Sequence, residues 1–164
     1  MSMQEGQLNV NVELELAVLD FFADAVKVLG LPKSVGEIYG LLFISREPMS
    51  LDDLVERLDI SKGSGSQGLK VLRTLGAVVE STGPDGGTGR KVFYEASLEL
   101  KRLVGGFIRE KVRPHLKSAK SKVKVMHEIN DEGDGFYDYR IKKLDAWRKR
   151  AGLLLPILQK VLGS

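Results

Sequence analysis

Three features predict a mainly α fold with one small β-hairpin. Apolar residues recur at helical spacing through most of the chain, two short amphipathic segments each led by a serine sit near its middle, and one Gly/Pro/Asp-rich loop separates two strand-like runs. The chain has 164 residues, 43% of them hydrophobic, and no cysteine. A chain of that size can bury a core without staples. The missing cysteine excludes thiolate catalysis, disulfides and cysteine-ligated metal sites.

From Val12 to Leu29 a dense apolar run, punctuated by Glu13, Glu15, Asp20, Asp24 and Lys27, predicts an amphipathic helix with a broad buried face. Gly30 and Leu31-Pro32 end it. A second helix is expected over about 34–45, with Ile38, Leu41, Leu42 and Ile44 on its apolar side and Pro48 beyond its end. Ser50 then caps a third, in which Asp52 and Asp53 suit the positively polarised first turn and Leu51, Leu54, Val55 and Leu58 form the stripe. A tight turn at Asp59-Ile60 leads to Ser61, the N-cap of a fourth helix carrying Leu69, Leu72 and Leu75. These two short helices make a helix-turn-helix.

Gly76 closes the fourth helix, and residues 77–81 and 90–95 read as strands around the loop 82–89. A hairpin directly after a helix-turn-helix is a wing, so residues 1–96 are expected to hold an N-terminal helix and a winged helix-turn-helix. Residues 97–164 return to helical spacing, with Val112, Leu116, Ala119, Val123 and Met126 on one seam and Ile141, Leu144, Ala151, Leu155, Leu158 and Leu162 on another. Pro114 and Pro156 are candidate kinks, and 130–135 is a break. Such seams need a partner surface, in the same chain or a second one, so 97–164 is expected to be a helical dimerisation region working with the N-terminal helix.

The net charge of +3 conceals a gradient. Residues 1–59 hold 4 basic against 11 acidic side chains, and residues 101–150 hold 15 against 7. A polyanion partner fits such a distribution. The first half of the fourth helix offers Ser61, Lys62, Ser64, Ser66, Gln67 and Lys70, with Arg73 further along. Their hydroxyl, amide and cationic groups suit base edges and phosphates of double-stranded DNA. Thr88, Arg90 and Lys91 are placed to hold a phosphate from the wing.

Gly63, Gly65 and Gly68 spell G-x-G-x-x-G, yet no strand precedes them, so a dinucleotide site is not expected. Small residues at the start of a recognition helix point instead to close approach of DNA. His115 and His127, the acids Asp52/Asp53 and Asp131/Glu132/Asp134, and the aromatic group Phe136, Tyr137, Tyr139 and Trp147 suggest neither a catalytic centre nor a metal, and packing is preferred to a cation box for the aromatics. No enzyme activity, cofactor or metal is expected. The start of the chain lacks signal-peptide features and no run of 18 apolar residues occurs, so a cytoplasmic protein without a membrane partner is expected.

The segments Gly30-Leu-Pro-Lys-Ser-Val-Gly-Glu-Ile-Tyr-Gly-Leu-Leu-Phe43, Glu47-Pro-Met-Ser-Leu-Asp-Asp-Leu54, Leu58-Asp-Ile-Ser-Lys-Gly-Ser-Gly-Ser66 and Leu72-Arg-Thr-Leu-Gly-Ala-Val-Val79 resemble the GbsR branch of MarR-type transcriptional regulators. The resemblance covers roughly residues 10–95. It implies a homodimeric winged-helix regulator, in the role of repressor, that binds a pseudo-palindromic operator and often answers to a small-molecule effector. Gly65 and Gln67-Gly68 stand where the family carries bulkier residues, a departure that leaves the motif in place and the operator sequence open. The rival expectation is a protein-interaction module in which the winged helix is scaffold and the basic helices bind an acidic partner.

Overall fold

The computed structural model describes residues 3–83, 91–131 and 133–162. Two compact units divide it, 1–99 and 100–164. In the first, helix α1 (Met3–Val28) is followed by α2 (Lys33–Ile44), strand β1 (Met49–Ser50), α3 (Leu51–Leu58), α4 (Lys62–Leu75), β2 (Val78–Ser81) and β3 (Phe93–Ala96). The second holds α5 (Leu100–Phe107), a π-helical turn (Ile108–Val112), α6 (Arg113–Ile129) and α7 (Gly135–Leu162). No described helix is long and apolar enough to cross a membrane.

α1 begins well before the apolar pattern at Val12 and ends where expected. Gly30 takes φ +69°, and the amides of Gly30 and Leu31 donate back to the Lys27 and Val26 carbonyls. Against it packs α2 at very close range, because Gly36 presents no side chain to the backbone of Phe22 and Ala23. Phe22 closes the contact against two rings of α2, edge-on to Tyr39 at 4.7 Å and tilted against Phe43 at 5.2 Å. The core of the unit is then filled by Val35, Ile38 and Leu41 of α2, Leu54 of α3, and Leu72 and Leu75 of α4, all essentially inaccessible. Tyr39 crosses this core and donates its hydroxyl hydrogen to the Ser97 carbonyl at 2.8 Å.

The expected hairpin is present but does not stand alone. β3 lies between β2 and β1 in a three-stranded antiparallel sheet, with Ser81 and Ser50 both opposite Phe93. Met49-Ser50 carries no strand signal in the sequence, since a two-residue strand is too short to show alternation. The sheet nonetheless ties the foot of the wing to the start of α3.

In the second unit the candidate kink at Pro114 coincides with a widened turn that separates α5 from α6. Proline has no N–H, and its ring clashes with the carbonyl four residues back in an α-helix. The preceding turn is π-helical, with Arg113 N–H donating to the Ile108 carbonyl five residues earlier. α7 runs through Pro156 as one helix. The two apolar seams meet partly within this unit: Leu116, Ala119, Val123 and Met126 of α6 face Leu144, Trp147 and Ala151 of α7 across a cleft of about 360 Å³.

Candidate nucleic-acid interface

α3 and α4 are set by their caps. Ser50 is buried and sits in a reciprocal capping box, its hydroxyl oxygen accepting from Asp53 N–H while the Ser50 amide and hydroxyl donate to Asp53 Oδ2 at 2.8 and 2.6 Å. Those bonds hold the Asp53 carboxyl below its ordinary value of 3.8, with a smaller contribution from Lys91. The folded state therefore gains from Asp53 above that ordinary value and loses the gain as pH falls below it. Replacing Asp53 with Asn is expected to lower stability near neutrality by about 1 kcal/mol. The difference between the two proteins should shrink as the pH is taken from 5 towards about 2, which denaturant titration at each pH reads directly.

Asp59 turns the chain between the helices at φ +50°, the one non-glycine residue with positive φ among the described residues. Ser61 then caps α4: its oxygen accepts from Ser64 N–H at 3.1 Å, and its hydroxyl donates to Ser64 Oγ at 2.9 Å. Ser61 and Ser64, two of the three serines expected to face DNA, are thus partly engaged with each other. The amides of Lys62 and Gly63 fall in the first turn, where a helix supplies no acceptor of its own.

Beyond the cap, α4 divides into two faces. Gly65, Gly68, Leu69, Leu72 and Leu75 are buried, whereas Lys62, Gly63, Ser66, Gln67, Lys70, Arg73 and Thr74 are exposed. Ser66, Gln67 and Lys70 make no side-chain hydrogen bond or ion pair among the described residues. Thr74, not among the residues expected to face DNA, shares this face and donates to the Lys70 carbonyl at 2.9 Å. Thr88 and Arg90 lie outside the described residues. Lys91 is exposed at the foot of the wing, 3.6 Å from Asp53 Oδ1 and with its Nζ 5.9 Å from the centre of the Phe93 ring.

The glycines need correction. A Cβ on Gly65 would come 2.8 Å from Leu51 Cδ1 and 2.9 Å from Val55 Cγ2, and one on Gly68 would come 2.5 Å from Ile38 Cδ1. Both are small because α4 packs closely on α3 and α2, not because DNA approaches there. Gly63 alone fits the close-approach expectation: it is exposed, with nothing nearer to a Cβ than Ser61 Oγ at 3.9 Å. Gly63→Ala is expected to leave stability unchanged or raise it by up to about 1 kcal/mol while weakening DNA binding. Undiminished binding would remove Gly63 from the interface.

Three carboxylates also belong to this surface and were not anticipated as part of it. Asp52 Oδ1 lies 3.1 Å from Lys62 Nζ, Glu80 Oε1 lies 2.6 Å from Arg73 Nη2, and Asp53 reaches Lys91. The sequence placed Asp52 and Asp53 in a helix first turn and said nothing of Glu80, whose approach to Arg73 depends on the path of β2 beside α4.

The remaining chemistry-bearing residues do not converge. The rings of Phe136 and Tyr139 already face cations of the chain itself, Arg140 at 5.1 Å and Lys143 at 5.2 Å, while Trp147 lines the separate cleft between α6 and α7. His127 has Asp138 at 3.9 Å across the break between those helices. Among the described residues no three His, Asp or Glu side chains could share a metal ion.

No family model matches the chain. Among curated proteins, the HTH-type transcriptional repressor GbsR of Bacillus subtilis (strain 168) is 39% identical over 61 residues, which are 37% of this chain and 33% of that protein. The HTH-type transcriptional repressor OpcR of the same strain is 29% identical over 65 residues, 40% of this chain and 35% of that protein. The matches thus span about a third of the length of these relatives. A crystal structure described as that of a transcriptional regulator superimposes over 91% of this chain and 95% of its own with a TM-score of 0.60 at 15% identity, a likeness of fold.

Proposed function

We propose that this chain, whose winged helix-turn-helix half is GbsR-like and MarR-type, is a sequence-specific DNA-binding transcriptional regulator that acts as a homodimeric repressor. One observation carries the reading. The outward face of α4 gathers Ser66, Gln67, Lys70 and Arg73, with Lys62 at its start, on a helix whose other face is wholly committed to the core. Hydroxyl, amide and cationic groups on one helix face match the donor and acceptor pattern of the major groove and the phosphates beside it. The mechanism is occupancy of a promoter and needs no catalytic group.

Dimerisation is supported by apolar side chains left in water. Val12, Leu14, Leu16 and Phe21 of α1 and Leu153, Leu154, Ile157 and Leu158 of α7 are exposed, apolar rows of the kind that a second copy of the chain can cover. With two copies related by a two-fold axis, half-sites would lie about 34 to 36 Å apart or a multiple of that. Selecting duplexes from a random library and footprinting the winner tests this. A symmetric footprint with that spacing, and a mass in solution of twice 18.1 kDa, is the expected result; a monomer that enriches no sequence would refute it. A small-molecule effector, which the family resemblance implies, would act on the spacing between the two α4 helices.

A further inference from the structure

On the reading just proposed, each cation at the two ends of the recognition helix already carries a carboxylate of the same subunit. Lys62 Nζ is 3.1 Å from Asp52 on α3, and Arg73 Nη2 is 2.6 Å from Glu80 on β2. All four side chains are 49–72% exposed, so packing does not force either pair. Surface pairs of this kind add little to folding, and these two lie on the surface meant for a polyanion.

We infer that Asp52 and Glu80 are specificity-determining residues, which keep Lys62 and Arg73 from the phosphates of arbitrary DNA and leave them for base edges. A phosphate drawn to either cation meets a carboxylate a few ångströms away. Two negative charges about 6 Å apart in water repel enough to weaken binding about threefold. A base edge bears no net charge and escapes that repulsion.

The geometry of Arg73 adds a positive side to this selection. A guanidinium has five N–H donors, and a bidentate contact to guanine O6 and N7 uses two. Glu80 engages Arg73 through Nη2, so donors remain for a base while the carboxylate fixes the plane in which they lie. Lys70, between the two pairs on the same face, has no ion pair among the described residues and stays available to phosphate. Asp53 differs from both acids, because its carboxylate serves the Ser50 cap at 2.6 and 2.8 Å and stands further from its lysine.

The test compares the wild-type protein with Asp52→Asn/Glu80→Gln on two probes, the duplex that the wild type enriches from a random library and an unselected duplex of equal length. Affinity of the variant for the unselected duplex is expected to rise about tenfold. Its log–log salt slope should steepen by about one to two, since each phosphate neutralised contributes about 0.9. Affinity for the enriched duplex should stay level or fall, so that the preference narrows about tenfold. Each single variant should show part of the change, with thermal unfolding like that of the wild type. Equal tightening on both duplexes, or no change on either, would overturn the inference. A wild-type protein that enriches no sequence would instead refute the regulator reading, and this inference with it.

Discussion

Gly36→Ala is expected to cost about 3 kcal/mol or more, a large part of the roughly 5–15 kcal/mol that holds a domain together. A Cβ at this position would sit on the Phe22 carbonyl oxygen and 2.7 Å from Ala23 Cα. Those are backbone atoms of another helix and cannot rotate aside. α1 and α2 would have to separate, which would open the contacts of Phe22 with Tyr39 and Phe43 and loosen Val35 and Ile38, on which Gly68 of α4 rests. Gly152→Ala in α7 is the control: it has nothing within 4 Å of a Cβ and lies in a helix, so stability should rise by up to about 1 kcal/mol. Denaturant midpoints at one fixed protein concentration measure both. A Gly36→Ala protein as stable as the wild type would contradict the close helix crossing.

The second large effect concerns DNA. Lys70→Ala and Arg73→Ala are each expected to weaken binding by about 1–3 kcal/mol, some five- to 150-fold, with the dimer mass and unfolding midpoint unchanged. The reason for confining the loss to binding is visible in the fold. Both side chains are exposed, Lys70 has no ion pair among the described residues, and Arg73 is held only by a surface pair to Glu80. Neither contributes to the face that carries Leu69, Leu72 and Leu75. If both variants bound DNA as tightly as the wild type, α4 would not be the reading helix. The rival account, in which basic helices bind an acidic protein, would then gain.

Much of this was legible in the sequence because local chemistry and fold agree. The cap serines Ser50 and Ser61, the leucine stripe of α4 and Gly76 in the left-handed conformation at its end are short-range signals, and each does what its residue type suggests. The exposed face of α4 followed from the same periodicity. What escaped depends on distant parts of the chain meeting. Gly65 and Gly68 looked like room for DNA because the sequence does not tell which neighbour presses on a glycine, and here it is Leu51, Val55 and Ile38. The carboxylate of Glu80 was invisible for a similar reason: only the turn at Gly76 and the course of β2 bring it to Arg73. Pro114 reads in the sequence as a candidate kink, but sequence alone does not show that the turn before it widens to a π turn.

On this reading the face of α4 distinguishes one DNA sequence from another and does not merely attract a polyanion. The decisive measurement is the binding of this protein, across a range of salt concentrations, to the DNA upstream of its own gene and to a scrambled duplex of equal length. Preference for the upstream duplex by about a thousandfold or more, persisting as salt weakens both complexes, is the predicted result. Equal affinity for the two duplexes, falling together with salt, would contradict it.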